Sequence, residues 1–299
     1  MTNRNTLNGI IFATLASIIW SVNFIIAKGV FNKIPPISLA FYRWAVATIV
    51  LLPFTFKSFL ADWKTIRKHL HFFFWAALTG VSLFNTLVYV GAHYTSAINL
   101  ALIGTTTSPI FSIILARIFL NEKIGLPKII GLVICIIGIL YLLAKGEINN
   151  LLRLKFSEGD LWVLAAAFSF SFYNILVKKK PAAISTSGFL ITSFFIGTLL
   201  IVPFFIAEIM HSAPVKWDGV LVFDILYVGI GASIISFLLW NLAINRLGAG
   251  RTSLFGNLIP VFSSIGAVFI LHEQFTTDHV VSTLLVFAGL VIANIRSLR

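Results

Sequence analysis

Apolar types make up 59% of these 299 residues and charged types only 11%, whereas a soluble globular chain carries about 25% charge; too few charges are present to clothe a water-soluble surface. The net charge of +12 does not indicate nucleic acid, because the basic residues gather on no single element and mostly lie in short breaks between apolar runs, as topology signals do. The single cysteine, Cys135, sits inside an apolar run and excludes an internal disulfide or a cysteine-based metal site.

A crossing needs about 20 mostly apolar residues, and the chain offers ten such runs. Continuous apolarity over these lengths selects helices, since barrel strands alternate and are about ten residues long. The first run, 7–28, follows Met1-Thr2-Asn3-Arg4 without a small-x-small cleavage site and is expected to be a retained first helix. On it Trp20, Asn23, Phe24 and Ala27 share one face, and the Asn23 amide needs partners from a neighbouring helix or from a solute. The second, 37–56, carries Arg43 about seven residues in, roughly 10 Å below the outer end at 1.5 Å per residue. Three roles are open to Arg43: anchoring helices, gating or coupling, and direct capture of a substrate carboxylate.

The third run, 71–92, places Asn85 and Tyr89 four residues apart, and the fourth, 97–117, carries Pro109 behind Thr105-Thr106-Thr107-Ser108 and is followed by Glu122. The fifth is 126–144; the sixth, 160–178, bears Phe170, Tyr173 and Asn174 on one face. After the seventh, 187–208, the eighth, 220–243, carries Ser233, Ser236, Phe237 and Trp240. The ninth, 249–271, holds Asn257 and Pro260 and is followed by Glu273, and the tenth is 279–296. The two prolines are expected to bend their helices, and the two glutamates to tie down helix ends through caps or ion pairs.

With the amino terminus inside, inner segments carry fifteen basic residues and outer segments six, which predicts that both termini are cytoplasmic. Near an offset of 150 the chain matches itself: Trp20–Lys28 lies over Phe170–Lys178, Pro109-Ile110-Phe111-Ser112 over Pro260-Val261-Phe262-Ser263, Glu122 over Glu273, and Tyr89 meets Trp240. The halves are 1–146 and 147–299, and five crossings in each make the repeats inverted. The expected fold is thus an all-α polytopic membrane protein of ten transmembrane helices in two inverted five-helix repeats, able to open a central cavity to either side in turn.

Trp20, Asn23, Asn85, Tyr89, Tyr173, Asn174 and Trp240 recur in paired positions of both halves, which favours a shared solute chamber over separate packing contacts. No Asp or Glu falls near the middle of a predicted span, so a zwitterionic or anionic metabolite is favoured over a cationic drug. Proton coupling, if it operates, uses a peripheral group or the substrate itself. Dispersed histidines predict no metal site, and no phosphate loop ends in Lys-Ser or Lys-Thr, which argues against ATP-driven transport and any cofactor. An intramembrane enzyme is the alternative from another class, and would need His and carboxylates grouped beside a lateral lipid opening.

The ten spans, the repeat, Phe41-Tyr42-Arg43, and the Pro109–Glu122 stretch with its Pro260–Glu273 counterpart together resemble the drug/metabolite transporter superfamily, particularly its EamA-like family, over nearly the whole chain. The resemblance implies a multi-pass bacterial inner-membrane protein that exports an amino acid or related metabolite, with multidrug or nucleoside-type uptake and exchange as the alternative. It places the cavity on Trp20, Asn23, Asn85, Tyr89, Tyr173, Asn174 and Trp240. Partners are a small organic solute and membrane lipid, and both monomer and dimer are open.

Overall fold

The computed structural model describes residues 3–30, 32–95, 97–144, 147–153, 157–271 and 277–298. Helix dominates and no strand occurs among the described residues, the outcome that lipid imposes when every backbone polar group must find a partner within its own segment. Among those residues eight helices are long and apolar enough to cross a membrane, and Leu126–Leu142 is a shorter apolar one.

In chain order, α1 is Asn3–Gly29, α2 Pro36–Lys68, α3 Leu70–Tyr94, α4 Ala97–Leu120 and α5 Leu126–Ala144. A short turn of helix, Ile148–Leu152, leads to α6, Glu158–Lys178, followed by α7, Thr186–His211, and α8, Gly219–Leu247. The next element, α9, is broken: Ala249–Thr252 is α-helical, Ser253–Asn257 tightens to 3-10, and Leu258–Leu271 resumes the α-helix. The last, α10, is Thr277–Leu298. Starts are marked by side chains that satisfy orphan N–H groups: Asp160 accepts from the Ser157 N–H at 2.6 Å on α6, Ser185 caps α7, and Asp218 caps α8. The predicted second span ended at 56, but α2 continues to Lys68. No glycine or proline interrupts Lys57–Lys68, so the helix runs on beyond the apolar stretch with a polar, amphipathic end.

The packing repeats itself when the halves are exchanged. α1 packs on α8 and α9, and its counterpart α6 packs on α3 and α4, while α2 pairs with α7 and α5 with α10. Exchanging α1–α5 for α6–α10 maps this set of neighbours onto itself.

The α2–α7 pair is fixed at both ends by carboxylates. Near the end of α2, Asp62 accepts from the Ser185 N–H at 2.9 Å and the Ser185 hydroxyl at 2.7 Å, at the start of α7. Near the end of α7, Glu208 accepts from Ile37 N at 3.0 Å, Ser38 N at 2.6 Å and Ser38 Oγ at 2.8 Å, at the start of α2. Each carboxylate sits at the positive end of the other helix. Asp62→Asn and Glu208→Gln should each lower the unfolding free energy by about 1–2 kcal/mol. The caps lie at opposite ends of a long helix pair, so the losses should add in the double variant, as thermal or denaturant melts of the purified variants will read.

α5 and α10 meet backbone to backbone. A methyl group on Gly131 would lie 2.4 Å from Gly289 O, and one on Gly289 would lie 2.6 Å from Gly131 O, the close approach that small residues allow between membrane helices.

Both α3 and α8 carry a π-helical segment, Leu78–Leu83 and Tyr227–Ile235. The pairs Pro109/Pro260 and Tyr89/Trp240 are 151 apart, and the same offset moves 78–83 to 229–234, inside the second segment. Serine hydroxyls answer the widened ladder in both: Ser82 Oγ donates to Ala77 O at 3.4 Å and Ser233 Oγ to Val228 O at 2.8 Å, each five residues back.

Candidate functional site

Between α1, α3, α4, α6, α8 and α9 lies a cavity in which the space open to the centre of a water-sized sphere is roughly 50 Å³. One water needs about 10–15 Å³ on that measure, so the cavity has room for several. Trp20, Phe84, Phe170 and Trp240 supply aromatic surface, and Asn23, Asn85, Thr105, Ser108 and Ser253 supply polar edges. The rings form one interlocked group: Trp20 meets Phe170 edge-on at 5.6 Å and Trp240 at 4.9 Å, and Phe84 stacks on Phe170 at 4.3 Å.

Arg43 lies behind this wall with 1% exposure. Its Nη1 donates to Asn23 Oδ1 at 3.0 Å, Asn85 Oδ1 at 2.8 Å and Tyr89 Oη at 2.8 Å. Its Nε donates to Ser233 Oγ at 2.7 Å and its Nη2 to Ala232 O at 3.1 Å. Ala232 belongs to the π segment of α8 and also accepts from Trp20 Nε1 at 2.7 Å. One widened turn thus holds both the cavity tryptophan and the buried cation.

The residues singled out in the sequence fall into two layers. Trp20, Asn23, Asn85 and Trp240 line the cavity. Tyr89 stands behind it, accepting from Arg43 and donating to Asn23 Oδ1 at 3.2 Å. Asn174 accepts from Trp240 Nε1 at 2.9 Å and donates to Ser112 Oγ at 3.2 Å, and Tyr173 Oη bonds Asn241 at 3.0–3.1 Å. An aromatic donor on an amide oxygen therefore occurs at matching positions of the two halves, Tyr89 on Asn23 and Trp240 on Asn174. These bonds pair Asn23 with Asn174, 151 apart, one position away from the nine-residue overlay that set Asn23 on Tyr173.

Pro109 lines the cavity and Pro260 is buried in the broken helix α9. A helical proline cannot serve the carbonyl four residues back, which belongs to Thr105 in one half and Gly256 in the other; both line the cavity. Gly256 escaped sequence reasoning, although counting four back from Pro260 would have found it. Glu122 accepts from Ala249 N at 3.0 Å at the start of α9 and pairs with Lys128 at 3.7 Å. The preceding Gly248 has φ 90°, which favours glycine, and a Cβ there would lie 2.7 Å from Glu122 Oε1 and displace that carboxylate. Glu273 lies outside the described residues. Lys33 pairs with Asp218 at 2.9 Å; the Leu221 backbone N–H, followed by Lys33, holds the Asp218 carboxyl below its ordinary range.

The EamA-like transporter model matches residues 7–144 and again 157–295. The chain belongs to the EamA-like transporter family. Among its relatives, an uncharacterized transporter of Bacillus subtilis (strain 168), YyaM, is 28% identical over 93% of this chain and 90% of its own. A protein of Escherichia coli (strain K12) named a probable amino-acid metabolite efflux pump is 24% identical, covering 97% of this chain and 95% of its own. A protein of Rickettsia conorii (strain ATCC VR-613 / Malish 7) named an S-adenosylmethionine uptake transporter is 28% identical over 90% of this chain and 86% of its own. A solved crystal structure superposes with a TM-score of 0.78 over 99% of this chain and 98% of that one at 15% identity, a likeness of fold. The two EamA matches fall on α1–α5 and α6–α10, and the cavity draws side chains from both.

Proposed function

We propose that this transporter moves a small organic metabolite, an amino acid or related zwitterion, out across the bacterial inner membrane by alternating access as a secondary transporter. The carrying observation is the cavity itself: it lies between the two EamA repeats, taken as 1–146 and 147–299, and combines an aromatic box with amide and hydroxyl edges. Trp20, Asn23, Asn85 and Trp240 touch the solute in this reading, Tyr89 and Asn174 hold Asn23 and Trp240 from behind, and Tyr173 stacks on the cavity's Phe170. Arg43, Pro109, Pro260, Glu122 and Glu273 shape the helices and their ends. The basic residues support cytoplasmic termini, and export follows the efflux named for the Escherichia coli relative. The uptake named for the Rickettsia relative supports import or exchange as the second reading.

A solute screen on the purified protein in liposomes, loaded on either side with and without a proton gradient, tests this. The expected result is saturable movement of an amino-acid-like solute. Trp20→Ala should lower kcat/KM about tenfold, equivalent to about 1.4 kcal/mol, while insertion is preserved, and Tyr89→Phe should alter selectivity through Arg43. Unchanged transport and selectivity in both variants would remove these residues from the site, and strong proton-driven export of a permanent cation would overturn the solute class.

A further inference from the structure

The acceptors of the Arg43 guanidinium are two amide oxygens, two hydroxyls and a backbone carbonyl, all formally neutral. Among the described residues the ion pairs are Lys33 with Asp218 and Lys128 with Glu122, and Arg43 is in neither. A positive charge is thus buried with its hydrogen bonds made and with no carboxylate paired to it among the described residues; the face of the Trp44 ring, 5.1 Å from its Cζ, answers it only in part. Retaining such a charge is costly in a medium of low polarity, and an anion brought near it is correspondingly favoured.

The bonds also fix which way the amides face. A guanidinium only donates, so Asn23 and Asn85 must both turn Oδ1 toward Arg43, and each Nδ2 then points away from it. Both residues line the cavity. Asn85 is 2% exposed and its Nδ2 has no hydrogen-bond partner, an unmet donor of the kind that proteins seldom bury without use. Arg43 converts two amides that could have offered either edge into a pair of donors.

We infer that the α1–α3 wall of the cavity is a carboxylate subsite, in which a solute carboxylate accepts from Asn85 Nδ2 beside Asn23 Nδ2 and answers the charge of Arg43 behind them. Arg43 is here a positioning residue: it orients the donors and supplies the balancing charge without itself lining the cavity. The rest of the solute lies against Trp20, Phe170 and Trp240. The inference rests on reading this cavity as the transported solute's site, and it narrows that solute to one with a free carboxylate.

Binding can be measured apart from transport. The full chain in nanodiscs is titrated with propionate and 3-phenylpropionate, with their primary amides, and with the matching alkylammonium ions, following tryptophan fluorescence. The carboxylates should bind saturably and at least about tenfold more tightly than the ammonium ions, and Arg43→Gln should erase about that factor. Asn85→Asp hands Arg43 an internal carboxylate and so preserves a satisfied core; it should abolish the preference for carboxylates and raise the affinity for the ammonium ions. A structural role alone would not move that selectivity. Equal affinities across the series, no saturable carboxylate binding, or an unchanged preference in Asn85→Asp would overturn the inference. Carboxylate binding without any transported solute in the liposome screen would instead sink the transport reading and leave the subsite standing.

Discussion

Arg43→Met should cost about 3–5 kcal/mol of unfolding free energy: five buried acceptors lose their donor at about 1–3 kcal/mol each, and relief of the buried charge offsets part of that loss. The side chain fills nearly the same space, so the loss reads the hydrogen bonds and not a cavity. Asn23, Asn85, Tyr89, Ser233 and the Ala232 carbonyl lose a shared donor at once, and these groups lie on α1, α3 and α8 around an arginine of α2. Arg43→Lys keeps the charge, but a single ammonium cannot serve both amides and the π-segment carbonyl together; an intermediate loss is expected. Unfolding in mixed micelles, followed by near-ultraviolet circular dichroism, provides the measurement. A methionine variant within about 1 kcal/mol of the parent would show that the network is not what joins these helices.

Gly131→Val should be comparably damaging, by about 3 kcal/mol, the upper part of the usual range for overpacking. Even a first added carbon would lie 2.4 Å from Gly289 O, 2.6 Å from Ala293 Cβ and 2.8 Å from Ala293 N. Two of those three atoms are backbone and cannot swing aside, so α5 and α10 must separate. Valine at Gly125, where the nearest atom to an added carbon is Pro127 Cδ at 3.7 Å, is the matched control. Folded yield by size-exclusion chromatography and the melting temperature should fall for Gly131→Val and hold for the control.

Much of this architecture is legible in composition and spacing. Apolar runs marked the helices, eight of which among the described residues are long and apolar enough to cross a membrane, and the 151-residue offset joined Pro109 to Pro260 and Tyr89 to Trp240. Four of the seven residues proposed to touch solute line the cavity. What stayed hidden was which helical faces meet. Tyr89 and Asn23 share an expected chamber in sequence, yet Arg43 reaches across from α2 and engages both, a contact that no periodicity within one span encodes. The π segments compound this, because a turn with an extra residue rotates every later side chain on α3 and α8 relative to a regular helix. Tyr173 and Asn174 likewise found buried partners in Asn241 and Ser112, since any helix face carrying a polar group in lipid answers to its neighbours first.

The carboxylates that cap α2 and α7 at opposite ends make that pair a strut of fixed length. Sliding one helix along the other by a single residue, 1.5 Å, would draw at least one carboxylate beyond bonding distance, since the contacts span 2.6–3.0 Å. Relative motion of the two halves at this seam is thereby limited to tilting and to flexure at Pro53 and Pro203, which interrupt the two rods.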